Sequence, residues 1–147
     1  MNTTKYFPTT EAVDRAATVL SEILEPTPFM KNNNLYDIYE AEVYLKRADL
    51  QIVRSYKIRG AYNMIRSLSA ESLKNGIVCA SAGNHAQGVA FSCSKRKIMG
   101  SIFMPVTTPR QKIEQVRMFG KEFIEIILTG DTFDAANSAA IAFAEQN

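Results

Sequence analysis

From Ser55 to the end of the chain, short apolar runs alternate with longer helix-patterned segments, and this alternation restricts the fold more than any other feature. The runs are "IVCA" (77–80), "SIFMP" (101–105) and "FIEIIL" (123–128). Strands wetted on one face alternate polar and apolar residues, whereas nearly continuous apolar runs suit parallel strands covered on both faces. Among them lie "YKIRGAYNMIRSL" (56–68), "NHAQGVAFSCSKRK" (84–97), "PRQKIEQVRMFG" (109–120) and "DTFDAANSAAIAFAEQ" (131–146), each long enough for several helical turns. Pro109 suits the first position of its helix. "SAESLKNG" (69–76) reads as a capped turn of helix stopped by Asn75-Gly76. Repeated strand–helix units of this length need right-handed crossovers, and they predict an α/β fold with an open, doubly wound parallel sheet.

Ahead of Ser55 the pattern differs. "TTEAVDRAATVLSEILEP" (9–26) predicts an amphipathic helix, with Thr10 as its cap, Val13, Ala17, Leu20 and Leu24 on one face, and Pro26 as its stop. "TPFMKNNNLYD" (27–37) reads as a loop, and "AEVYLKR" (41–47) as a strand alternating at Val43 and Leu45.

A chain of 147 residues can bury one real core. A net charge of +2 is too small to imply nucleic acid or an acidic membrane as partner. The one compact basic run, Lys95-Arg96-Lys97, closes a predicted helix, where cations complement the dipole, and reads as a solvated helix end. Cys79 and Cys93 sit in apolar segments with no CxxC, which favours reduced, buried thiols over a disulfide framework or a zinc site. The N-terminal stretch has no apolar signal region and no window is long enough to cross a bilayer, so a cytoplasmic location is expected.

In a doubly wound sheet, ligands bind where strands hand over to helices. The first clear handover is "CASAGNHAQGVA" (79–90). Ser81, Ala82 and Gly83 form a turn of small residues, and Asn84 is the predicted N-cap of the next helix. Backbone amides there, with the Ser81 hydroxyl and the Asn84 side chain, make a pocket for a carboxylate or phosphate. The spacing is neither G-x-G-x-x-G nor a P-loop. His85, the only histidine, would by itself be a structural residue, and Lys57 in "VRSYKIRGAY" (53–62) a solvated one. Yet Lys57 stands at a predicted helix start, where the dipole disfavours an ammonium group.

Taken together, "SYKIRGAYN" and "ASAGNHAQGVAF", with "VYLKRADLQ", "FMPVTTPRQKIEQVRMFG" and "LTGDTFDAA", resemble the threonine dehydratase branch of the fold-type II pyridoxal-phosphate enzymes. The collinear match covers residues 40 to 140 approximately. The resemblance implies pyridoxal 5'-phosphate as cofactor, bound covalently through Lys57. A lysine in that role must reach its neutral form, which desolvation and a helix start both favour. Ser55 is expected to position the turn. Tyr56 stands where the family usually has Phe, as an aromatic neighbour of the cofactor. By the same resemblance Asn84 bonds the cofactor ring oxygen, and Ser81, Gly83, Asn84 and His85 receive the substrate carboxylate. The implied reaction converts L-threonine, with L-serine as a second substrate, to 2-oxo acid and ammonia, as in isoleucine biosynthesis. Ala82, where racemase relatives often carry Ser, favours dehydration over racemisation.

The resemblance also sets further expectations. Ala48 stands where relatives carry Glu, with no evident consequence. The family's glycine-rich phosphate loop and the partner of its pyridine nitrogen match positions beyond Asn147, so the chain reads as an N-terminal fragment that is inactive alone. Residues 1–54 would belong to the larger cofactor domain, and residues 55–147 to the small α/β domain. A homo-oligomeric parent is expected, with no metal, nucleic acid or membrane. The alternatives are a serine dehydratase or racemase-type enzyme, or a non-catalytic module.

Overall fold

The computed structural model describes residues 7–147. Its centre is a parallel sheet of β3 (Ile77–Ala80), β4 (Gly100–Met104) and β5 (Ile124–Leu128), in that order. Cys79 lies opposite Ile102, and Ile102 opposite Ile126. Period-two alternation sends successive β4 side chains to opposite faces. Ile102 and Met104, both fully buried, join Ala86, Val89, Ala90 and Cys93 of α4 (Asn84–Arg96) in the main core. Phe103 points the other way and meets Phe143 of α6 (Phe133–Gln146), with ring centroids 5.4 Å apart. α5 (Arg110–Gly120) packs beside α4, and α6 lies on β3 and β4. Helices therefore cover both faces, as the expected doubly wound fold requires.

α3 (Lys57–Ser67) packs tightly on α4. The contact is close because position 88 is glycine: a Cβ there would lie 3.1 Å from Ile58 Cα and 3.3 Å from Ala61 Cβ. Among the described residues, β3 is bonded on one edge only. Beside its other edge runs a groove of about 450 Å³, lined by β3 and by Ala61, Met64, Ile65 and Leu68.

The N-terminal third departs from expectation in detail. α1 (Thr10–Leu20) forms as expected, but Thr9 caps it, accepting from Ala12 N–H at 3.2 Å, and Thr10 is the first helical residue. Residues 27–37 are not a loop. β1 (Phe29–Lys31) pairs antiparallel with β2 (Tyr44–Lys46), and α2 (Asn33–Tyr39) follows β1. Asn32 caps α2 by accepting from Leu35 N–H at 2.9 Å. All three β1 residues are exposed and α2 buries none, so neither carries the apolar periodicity that would reveal it. A smaller apolar cluster of Leu24, Val53 and Ile58 joins this region to α3.

Two further corrections concern caps. Residues 69–76 are successive turns, not a turn of helix, although the Ser69 hydroxyl does accept from Ser72 N–H at 3.1 Å. Gly76 closes them at φ +91, where a Cβ would meet the Met99 carbonyl oxygen at 2.7 Å. Pro109 stands at the N-cap of α5 and not at its first helical position.

Candidate active site

Two helix starts meet at the carboxyl end of the sheet. The first is that of α3. Gln51 to Ser55 form a tight loop in which Arg54 N–H donates to the Gln51 carbonyl at 2.8 Å and Arg54 adopts φ +51. Ser55 is buried, and its hydroxyl accepts from Lys57 N–H at 3.3 Å. Lys57 is the first residue of α3. Its neighbours Val53 and Ile58 are buried, while Lys57 and Tyr56 are exposed. Apolar anchors on both sides thus fix the backbone and leave the amine outside.

The second is that of α4. Ser81 N–H donates to the Phe103 carbonyl at 3.1 Å, which pins the end of β3 to β4. Gly83 N–H then donates to the Ser81 hydroxyl at 3.4 Å. Gly83, and not the expected Asn84, holds the N-cap position, and Asn84 is the first helical residue. A glycine cap has no side-chain oxygen to offer, and α4 has no side-chain cap bond. The first amide bonded back along the helix is that of Gln87, to the Gly83 carbonyl at 3.2 Å. The amides of Asn84, His85 and Ala86 are the donors that every helix start leaves over. Space beside Gly83 is open, since a Cβ there would meet nothing within 4 Å. The side chains of Asn84 and His85 are exposed.

The charge at the first start is felt at the second. Burial, and after it the positive charge of Lys57, hold the His85 imidazole below its ordinary value of 6.5. The lysine amine is therefore within electrostatic range of the α4 start, and His85 is neutral at pH 7. Of the expected site residues, Ser81, Gly83, Asn84 and His85 lie together at the α4 start, and Lys57 and Tyr56 at the α3 start. Gln51, buried in the loop before Lys57, escaped notice in the sequence, where nothing signals its burial.

An amine, a carboxamide and unpaired helix amides around an open glycine are the donor set that an aldehyde cofactor and an α-amino acid carboxylate would use. On this observation the residues present fit one side of a pyridoxal phosphate site.

The fold is an α/β domain with two helix starts at the carboxyl end of a parallel sheet, the place where domains of this kind bind ligands. Residues 20–147 match the family model described as pyridoxal-phosphate dependent enzyme, and the chain belongs to that family. The cofactor of the family is pyridoxal phosphate. The chain is 62% identical over 115 residues to the biosynthetic L-threonine dehydratase of Halalkalibacterium halodurans, covering 78% of this chain and 28% of that protein. It is 59% identical over 121 residues to the Bacillus subtilis protein of the same name, covering 82% and 29%. Among solved structures it is similar to the processed form of threonine deaminase isoform 2 from Solanum lycopersicum, with TM-score 0.81, 37% identity, and 94% and 39% coverage. It is also similar to maize serine racemase, with TM-score 0.87, 26% identity, and 96% and 42% coverage. The chain spans about three-tenths of the length of those two dehydratases.

Proposed function

We propose that this protein, in its catalytically complete form, converts L-threonine to 2-oxobutanoate and ammonia, with Lys57 as the residue that holds pyridoxal phosphate. Bound pyridoxal phosphate supplies the electron sink that makes the α-proton of an amino acid acidic. Lys57 Nζ would hold the cofactor and, when free, would take that proton from the substrate Cα. The unpaired amides of Asn84, His85 and Ala86, with the Ser81 hydroxyl, hold the substrate carboxylate. Asn84 would help to hold the cofactor by donating from its side-chain amide to the ring oxygen. His85 stays neutral, so the carboxylate is held by oriented N–H groups with no competing cation beside the amine. Such fixed orientation can account for several kcal/mol of a barrier.

What supports this reading is the close packing of α4 on the first turn of α3, where a Cβ at Gly88 would lie 3.1 Å from Ile58 Cα, together with the Lys57 charge felt at His85. In this reading residues 1–54 belong to the larger cofactor domain and residues 55–147 form the small domain. The active form is a homo-oligomer, and L-serine is a second substrate.

A second reading, a serine racemase, draws on the high TM-score to the maize enzyme. Ala82 in the substrate loop favours elimination. Borohydride reduction in the presence of pyridoxal phosphate, followed by peptide mass analysis, tests the lysine, and a label absent from Lys57 refutes the assignment. Product analysis with L-threonine and L-serine separates the readings. Formation of 2-oxobutanoate supports the first, whereas D-serine as the main product supports the second.

A further inference from the structure

We propose that Gln51 is a positioning residue for Lys57, holding the loop from which the lysine is presented. The inference rests on the reading of Lys57 given above. Gln51 is 9% exposed, and its Nε2 donates to the Ser55 carbonyl at 2.6 Å. Its own carbonyl accepts from Arg54 N–H at 2.8 Å. One residue therefore closes the loop twice, through the main chain onto Arg54 and through the side chain onto Ser55. Arg54 at φ +51 is in a conformation that a non-glycine residue keeps only when its surroundings impose it. Ser55 passes the restraint on, since its hydroxyl accepts from Lys57 N–H at 3.3 Å. The N-cap residue Tyr56 makes no side-chain cap bond, so among the described residues this relay is the side-chain support of the α3 start.

A packing role alone does not explain a glutamine here. Gln51 Oε1 is buried without a protein partner, as is Thr27 Oγ1, and both residues line one cavity of about 260 Å³ with Leu24, Pro28 and Ile52. An apolar side chain of the same length would fill this place without leaving an oxygen unpaired. What it would lack is the donor to Ser55.

Gln51→Met keeps length and burial but removes that donor, and Thr27→Val alters the same cavity without touching Ser55. Both would be compared with the unaltered 147-residue protein by hydrogen exchange, thermal melting and borohydride-trapped pyridoxal phosphate at each lysine. In Gln51→Met the melting midpoint should stay within about 3 °C. Amide exchange over residues 54–58 should rise about tenfold, with β4 peptides unchanged. Trapping at Lys57 should fall to that of the exposed Lys112. Thr27→Val should match the unaltered protein in both readouts. Exchange and trapping in Gln51→Met equal to the unaltered protein would overturn the role, and so would outright unfolding of that variant, which would make Gln51 a stability residue. If the unaltered protein labels Lys57 no better than Lys112, the reading of Lys57 fails, while faster exchange at 54–58 still identifies the Gln51 clamp.

Discussion

The Tyr62 phenol donates to the Glu22 carboxylate at 2.8 Å, tying a side chain that is 2% exposed on α3 to an exposed carboxylate just past α1. This bond, ahead of the Arg66 charge, holds the Glu22 carboxyl below its ordinary 4.5. Burial, and then the same bond, push the Tyr62 phenol above 10.0. A lowered acid contributes stability above its ordinary value and loses it as pH falls through the folded value. A raised phenol contributes below its ordinary value and loses it as pH rises. The pair is thus at full strength between pH 4.5 and 10.0. Tyr62→Phe should lower the melting midpoint at pH 7 by roughly 4 °C. Melting curves taken below pH 4.5 should show that difference shrinking, and a pH-independent difference would count against the bond.

Gly88 sets the distance between the two helix starts. In Gly88→Ala the new methyl meets Ile58 Cα at 3.1 Å, backbone that cannot swing aside. The expected cost is about 1–3 kcal/mol of stability, as for other overpacked contacts. Denaturant unfolding measures it, and a neutral result would mean that α3 and α4 slide freely.

Lys57→Met removes the second cause of the His85 shift and leaves the first, burial. The imidazole should titrate higher than in the unaltered protein but still below 6.5, as read by NMR of the ring protons. Because a base with a lowered folded value favours the unfolded chain once protons are plentiful, His85 costs stability as pH drops below 6.5. An unmoved His85 titration in Lys57→Met would separate the two helix starts.

Cys79 and Cys93 are buried and free, and burial pushes each thiol up to about 11. A thiolate is the reactive form, so thiol reagents at pH 8 should label the folded protein far more slowly than the urea-unfolded one. Equal rates would mean that the core between α4 and β3 opens readily.

Most of the sheet was legible because its strands advertise themselves: "IVCA" and "FIEIIL" are apolar on both faces, and helices on both sides are the physical consequence. The site residues were legible as motifs, and their meeting was not. It depends on the small size of Gly88, the fifth residue of α4. Asn84 was misplaced as a cap because its side chain suits that role. Gly83 takes the position with φ −136, extended backbone that any residue could adopt, and leaves the amides bare. β1 and α2 stayed hidden because they bury almost nothing, so no periodicity marks them. Gln51 was passed over because a lone glutamine says nothing about burial until its surroundings are known.

The unbonded edge of β3 bears on how this protein behaves in a tube. An edge of bare amides and carbonyls beside an apolar groove is a template for any extended segment, including one from a neighbouring molecule. The overall charge of +2 gives little mutual repulsion to oppose such pairing. Light scattering should rise with concentration well before the helices melt. Val78→Lys, a charge set on that edge, should shift the onset of scattering to higher concentration while leaving the melting curve nearly in place.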